Sequence, residues 1–386
     1  MRLLFFGPVP QKRRPPFLGQ ESERRFSFGA DNSVMEEIRV KLRVAIVGVS
    51  GYGGGELARL LLAHPNVDLT YVTSGTYAGK PLRAALPGAA PSDLVCEIYD
   101  EAVCADKCDF VFLAGESGLA MKIAPGLLDA GKKIVDLSAD FRLKDPAVYQ
   151  EWYKAEHTAP ELLEKAVYGL PELAREEIVT ARLVANPGCY PTSAILALLP
   201  LLPDMYVRPD TIIIDSMSGI SGGGRSKFGL DYHFAEVNES ARAYGVGGVH
   251  RHTPEIEQGL SDVYGPGIRV TFTPHLIPVT RGILTTVYAT FTSEIPPLEV
   301  LYDLYRDWAD PFVTFLGPGQ FPATKHVYGT NYCHIGLAVD KRTNRVVVVS
   351  AIDNLVKGAA GQAIQNMNLM CGFDETAGLT MGAVWP

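Results

Sequence analysis

The segment Asn186-Pro-Gly-Cys189-Tyr-Pro191-Thr192 sets a cysteine just after a Pro-Gly turn, between an apolar strand ending at Ala185 and a helix expected over residues 192–202. A sulfur at the start of a helix meets free backbone N–H groups and the positive end of the helix dipole, which favour a thiolate and could steady an oxyanion. The bland alternative is a small buried apolar cysteine, the commonest fate of a free thiol. The Pro-Gly elbow at the carboxyl end of a strand favours the nucleophile.

A second segment, His250-Arg251-His252-Thr253-Pro254-Glu255, supplies a base. Thr253 and Pro254 read as N-cap and first helical residue, so His252 precedes a positive helix end that disfavours imidazolium. His252 is expected to be the acid–base partner of Cys189, with His250 as the alternative. An H-x-H pair alone is an incomplete ligand set, and Cys104 and Cys108 lack a second cysteine pair, so no metal site is expected. The loop Ser218-Gly-Ile-Ser221-Gly-Gly-Gly-Arg225 joins hydroxyls and one cation to flexible glycines. It reads as a nest for phosphate or carboxylate, or as a mere flexible loop.

A third pattern binds rather than reacts. Gly48-Val-Ser50-Gly51-Tyr52-Gly53-Gly54 follows a buried strand and precedes a helix, the context in which glycines let backbone approach a pyrophosphate. At the end of the second strand, where a carboxylate would read the ribose of NAD, stand Thr73, Ser74 and Gly75, with Lys80 and Arg83 following. That leans towards NADP(H).

These residues need a scaffold. Residues 42–49 form an apolar run suited to a strand buried on both faces, and residues 56–63 carry Leu57, Leu60 and Leu61 on one helical face before Pro65. Strand signals at 69–72, 110–114 and 134–137, with a helix around 119–130, continue the alternation. The fold class is therefore α/β, a Rossmann-type doubly wound parallel sheet. After about residue 210, longer strands rich in Thr, Tyr and Val (211–216, 268–273, 285–292, 345–350) predict an α+β domain with a largely antiparallel sheet. A final helix over about 356–370 opens with small residues that allow close backbone approach. The expected division is a nucleotide-binding domain over 41–189, completed by 353–386, and a catalytic and dimerisation domain over 190–352.

Composition bounds the rest. A chain of 386 residues with 47% apolar content can bury a large core, and a net charge of −8 disfavours nucleic-acid or anionic-membrane partners. The six cysteines are too few for a disulfide framework, which fits a reducing, cytoplasmic setting. Residues 183–203 lack charge but hold Pro187, Pro191, Pro200 and Pro203, which no membrane-spanning helix would tolerate. Residues 1–40, basic and proline-rich without apolar periodicity, read as a disordered extension rather than an organelle-targeting segment.

Longer motifs carry a resemblance. G-x-S-G-Y-x-G-x-E-L (48–57), D-L-S-A-D-F-R-L (136–143), Y-G-L-P-E (168–172), N-P-G-C-Y-P-T (186–192), Y-G-V-G-G-V-H-R-H-T-P-E-I (244–256), F-T-P-H-L-I-P-V-T-R-G (272–282), K-H-V-Y-G-T-N (325–331) and D-N-L-V-K-G-A-A-G-Q-A (353–363) occur in order. The chain resembles the N-acetyl-gamma-glutamyl-phosphate reductase family from about residue 42 to 375. It departs at Gly115-Glu-Ser-Gly118, where the family more often has Leu-Pro-His-Gly, and at Gly75, where many members carry a charged or larger residue. The resemblance implies reduction of an acyl phosphate by NADPH through a thioester on Cys189, with release of inorganic phosphate, in a homodimer or homotetramer. It implies cofactor contacts by Gly48, Ser50, Gly51, Tyr52, Gly53, Gly54, Ser74, Ser138 and Asn354, the last bordering the nicotinamide. Ser218, Ser221 and Arg225 are then expected to contact the substrate's phosphate or carboxylate. The runner-up is a related semialdehyde dehydrogenase acting on aspartyl phosphate or a carrier-bound aminoadipyl phosphate.

Overall fold

The computed structural model describes residues 40–226 and 229–384. The extension expected over residues 1–40 lies, apart from Val40, outside them. Seven parallel strands make the first sheet: β1 (Leu42–Val47), β2 (Val67–Thr73), β3 (Cys96–Glu97), β4 (Phe110–Leu113), β5 (Lys133–Asp136), β6 (Val167–Tyr168) and β7 (Leu183–Ala185), in the order β3-β2-β1-β4-β5-β7-β6. The apolar run of β1 is buried from Val44 to Val47 because strands and helices cover it on every side. After β3 the chain returns past β1 to form β4, so a crevice opens at the carboxyl ends of β1 and β4, the place where such sheets bind ligands.

The second sheet also has seven strands: β8 (Ile213–Ser218), β9 (Arg242–Ala243), β10 (Thr271–Leu276), β11 (Ile283–Thr290), β12 (Val313–Phe315), β13 (Cys333–Asp340) and β14 (Arg345–Ile352), in the order β12-β13-β14-β11-β8-β10-β9. It is mixed. Its centre is antiparallel, from β13 through β14 and β11 to β8, but β8 pairs β10 and β12 pairs β13 in parallel. β11 alternates buried and half-buried residues, as a strand with one covered face should.

The helix Cys189–Leu198 covers that face. Every residue from Tyr190 to Leu198 is buried, because the helix leaves β7 of the first sheet and packs on the second. Ser193 anchors it through hydroxyl contacts to Thr285 (2.9 Å) and Ser350 (2.8 Å). The helix Thr253–Tyr264 lies beside it, with Gly259 against Ile195 where a Cβ would overlap the isoleucine. The chain ends by returning to the first sheet, where the helix Gly361–Cys371 packs Ala363, Ile364 and Met367 with Leu57 and Leu61 of the helix Tyr52–Leu61.

Three local expectations are corrected. The cysteine helix starts at Cys189 itself rather than at Thr192, with Gly188 as N-cap; Pro191 fits because first-turn N–H groups need no intrahelical partner. Thr253 is not an N-cap. The Thr253 N–H donates to the His250 carbonyl (2.9 Å), winding the chain one residue early, so His252 takes the cap and the Thr253 hydroxyl is buried without a partner. The start of the last expected helix, Val356–Ala360, is a π-helical turn.

Candidate active site

Cys189 is half-buried at the first position of its helix. A Cβ placed on Gly188 would lie 2.8 Å from His252 Nε2 and 3.0 Å from Arg142 Nη1, so both groups press on the residue that precedes the cysteine. The π-turn brings Gly358 so close that a Cβ there would sit 2.8 Å from the Cys189 Cβ. The sulfur thus lies where β7, the histidine helix and the C-terminal π-turn converge.

Burial decides the resting charges. It pushes the Cys189 thiol up to about 11, against the opposing pull of the Arg142 cation and the Tyr190 N–H. The helix start therefore does not by itself yield a thiolate, contrary to the expectation from the dipole. Burial, followed by His250, Arg142 and Arg251, holds His252 well below the usual histidine range, so its imidazole is neutral. Its Nδ1 has no hydrogen-bond partner. His250 sits in a cage of edge-on rings with Tyr190 (5.6 Å), Tyr244 (5.4 Å) and Phe272 (5.4 Å), and burial lowers it to about 4. Its Nδ1 accepts the His252 N–H at 3.1 Å, so its contact with the pair is a brace on the backbone.

The glycine turn is built for close approach. Gly48 has φ +99°, and a Cβ there would lie 2.8 Å from the Ala114 carbonyl; one on Gly54 would overlap the Gly48 carbonyl. Gly51 caps the helix, Tyr52 is exposed at its start beside Gly53, and the first turn carries no acid. A pyrophosphate fits such an end. Ser74 Oγ donates to Ser50 Oγ (2.9 Å) and accepts the Tyr77 N–H (3.2 Å), while Gly75 is exposed with open space around it.

The remaining expected site residues hold the following places. Arg225, expected at the substrate, reaches the glycine turn: its guanidinium donates to the carbonyls of Ser50 (3.1 Å) and Ala85 (2.8 Å) and to Tyr77 Oη (3.2 Å). The Ser138 hydroxyl donates to Asp136 (2.8 Å) and accepts the Asp140 N–H (3.1 Å), which commits it internally. Asn354 accepts the Gly282 N–H (2.8 Å) and donates to Ser221 Oγ (3.0 Å), tying the 218–225 loop to the approach of the π-turn. Ser218 is buried at the end of β8 and faces the Tyr190 hydroxyl, which also bonds the Tyr244 hydroxyl at 2.9 Å.

Known proteins share both halves of this arrangement. Residues 43–181 match the family described as "Semialdehyde dehydrogenase, NAD binding domain", and residues 189–354 match "Semialdehyde dehydrogenase, dimerisation domain". Relatives named N-acetyl-gamma-glutamyl-phosphate reductase include one from Geobacter metallireducens, 54% identical over 88% of this chain and 98% of its own. Another, from Desulfotalea psychrophila, is 53% identical over 89% of this chain and all of its own. The chain belongs to the N-acetyl-gamma-glutamyl-phosphate reductase family. Solved structures of aspartate semialdehyde dehydrogenases share the fold: one from Vibrio cholerae has a TM-score of 0.67 at 17% identity, covering 86% of this chain and 98% of its own. One from Candida albicans, solved with NADP, has a TM-score of 0.64 at 15% identity, covering 86% of this chain and 98% of its own.

Within this member of the reductase family, single-residue reasoning passed over Arg142, Tyr168 and Glu255. Each lies inside a motif that carried the resemblance, but a buried Arg, Tyr or Glu has no spacing rule that marks it. Their signal is the site's own geometry: the Glu255 carboxylate accepts the Gly188 N–H (2.7 Å) and the Tyr168 hydroxyl (2.9 Å).

Proposed function

We propose that this chain reduces N-acetyl-gamma-glutamyl phosphate to N-acetylglutamate 5-semialdehyde, with NADPH as reductant and Cys189 as nucleophile, in arginine biosynthesis. The observation that carries the reading is the meeting of Cys189, neutral His252 and the close-packed Gly358 at one point, in a chain 54% identical to a relative of that name.

His252 takes the thiol proton as the sulfur attacks the acyl carbon and hands it to the departing phosphate, giving a thioester on Cys189. The nicotinamide cofactor supplies the hydride that brings the thioester carbon to the aldehyde level. N–H groups at the start of the cysteine helix stabilise the oxyanion that forms there. The oxyanion then collapses and the C–S bond breaks, releasing the aldehyde and the Cys189 thiolate, and a solvent proton delivered through His252 restores the thiol. Gly48, Ser50, Gly51, Tyr52, Gly53, Gly54 and Ser74 hold the cofactor, with Arg225 steadying the turn. Ser218 and Ser221 contact the substrate's anionic groups.

The absence of a carboxylate at residues 73–75 supports NADP over NAD. The match of residues 189–354 to a dimerisation domain supports a homodimer or a homotetramer. No helix among the described residues is long and apolar enough to cross a membrane, and a cytoplasmic enzyme fits the free cysteines.

The deciding assay is phosphate-dependent NADP reduction by the purified chain, with N-acetylglutamate semialdehyde and aspartate semialdehyde compared. The N-acetylated aldehyde should be preferred, and Cys189→Ser should lose activity by orders of magnitude while still binding cofactor. Preference for the aspartate aldehyde, or wild-type turnover by Cys189→Ser, would overturn the reading.

A further inference from the structure

Three carboxylates share two cations where the helix Pro171–Thr180, the π-turn and the C-terminal segment meet. Glu172 Oε1 accepts from the fully buried Lys357 ammonium at 2.7 Å. Arg175 donates to Asp310 (2.6 Å) and to Glu375. Gln365 joins the two pairs, accepting from Lys357 (2.9 Å) and donating to Glu375 (2.8 Å). The cluster therefore carries one negative charge in excess, and two atoms show where it falls. Glu172 Oε2 and Asp310 Oδ1 are buried without a hydrogen-bond partner, on side chains only 3% and 5% exposed. The Glu172 charge acts against ionisation of Asp310, as it must between close neighbours. A buried carboxylate oxygen without a donor is costly, and two together call for a positive charge.

The space beside them has a lining to match. Glu172 borders a narrow cavity walled by Leu196 of the cysteine helix, by Tyr305 and Trp308 at the end of the helix Leu298–Asp307, and by Val313 and Phe315 of β12. Asp310 stands at the same wall, its carbonyl accepting the Val313 N–H at 3.0 Å. The Tyr305 and Phe315 rings lie 5.4 Å apart. Ring faces attract cations as carboxylates do. The cavity has room for one particle of a water molecule's size, which is the size of an ammonium or a potassium ion. Two free oxygens are too few for a divalent ion, which takes roughly six. An ammonium ion needs fewer, since its N–H groups can divide between the two oxygens and the rings.

We propose that Glu172 and Asp310, with the aromatic wall of Tyr305, Trp308 and Phe315, form a binding site for one monovalent cation of ammonium's size. The site lies outside the reaction proposed for Cys189 and does not depend on that reading.

The test is thermal melting of the full chain in chloride salts at fixed ionic strength, with choline replaced stepwise by ammonium or by potassium. Choline is too large for the cavity and sets the baseline. Above the dissociation constant, each tenfold rise in the bound ion should lift Tm by about 2 °C, and the stronger response identifies the ion. Asp310→Asn removes the excess charge while Arg175 keeps Glu375, so its Tm should not respond to the exchange. Asp68→Asn, which loses an exposed acid on β2, should respond as wild type does. Thallium(I), a heavy monovalent ion of similar size, should give an anomalous scattering peak in crystals within bonding distance of Glu172 Oε2 and Asp310 Oδ1. Equal melting in all three salts, or an equal response in Asp310→Asn, would overturn the proposal. If Asp310→Asn fails to fold, the thallium peak decides, and its absence rejects the site.

Discussion

The two histidines differ in what they touch, and that difference supports the roles proposed for them. His252 Nε2 packs against the residue before Cys189, whereas His250 is boxed by aromatic rings and braces the His252 backbone. His252→Asn should therefore remove one limb of the kcat/KM pH profile, and His250→Asn should lower the rate while keeping both limbs. Survival of both limbs in His252→Asn would reverse the assignment. Asp136 provides a test in stability. Burial, then the neighbouring Asp140, lifts its carboxyl from the ordinary 3.8 to about 7. Between those values the folded chain holds a proton that the unfolded chain has lost, so this group's contribution to stability falls as pH rises. Asp136→Asn escapes that penalty, and its stability relative to wild type should improve by roughly 1 kcal/mol per pH unit from pH 4 to 7. Denaturant melts at several pH values measure it.

At the scale of elements, the π-turn Val356–Ala360 and the glycine turn each place backbone where a side chain cannot go. The five-residue turn is held at its start by Asp353, whose Oδ1 accepts the N–H groups of Leu355 (2.8 Å) and Val356 (3.2 Å). π-Turns concentrate at functional sites because they re-aim one stretch of an otherwise regular helix. Gly358→Ala would force its methyl onto the Cys189 Cβ, and a displacement of the sulfur by about 1 Å costs on the order of a hundredfold in rate. Steady-state kcat should fall by that order while cofactor binding survives. After β2, beside the glycine turn, Gly75 has room for a larger side chain. Gly75→Arg should strengthen NADP binding and make it more sensitive to salt, whereas Ser74→Asp should tilt kcat/KM towards NAD by repelling the 2′-phosphate. An unchanged NADP to NAD ratio in both variants would mean that other residues read the ribose.

Across the whole molecule, the first and second sheets are tied by ions as well as by the cysteine helix. Arg281, in the loop between β10 and β11, donates to both oxygens of buried Glu56 on the glycine-turn helix (3.1 and 2.8 Å) and lies 3.5 Å from Asp353. Despite burial, Arg281 and Arg59 hold the Glu56 carboxyl below its usual range, so this link persists through neutral pH and weakens only in acid. Removing one partner of a buried pair strands the other's charge. Arg281→Met should cost about 2–3 kcal/mol, the lower end because Arg59 stays on Glu56. The same variant should raise KM for the cofactor, since the helix that caps the pyrophosphate site loses its tie. Chemical denaturation and cofactor titration test the two effects.

Period and punctuation made much of this fold legible from residue order. The both-faces-buried β1, the strand–glycine–helix turn and the Pro-Gly elbow before Cys189 are local patterns, and local backbone sterics act the same way wherever they occur. Cys189 and His252 could be singled out as candidates for the same reason, since a helix start is announced by neighbouring residues even where its exact cap is not. What tertiary structure decided was charge and partnership. Whether a helix-start cysteine rests as thiol or thiolate depends on burial and on Arg142 and Glu255, which come from different segments of the chain. Arg225 carries a positive charge in any reading, but only folding aims it at Ser50 and Tyr77. The parallel pairings of β8 with β10 and of β12 with β13 were likewise beyond the sequence, because alternation within a strand reports which face is covered and not which neighbour runs alongside.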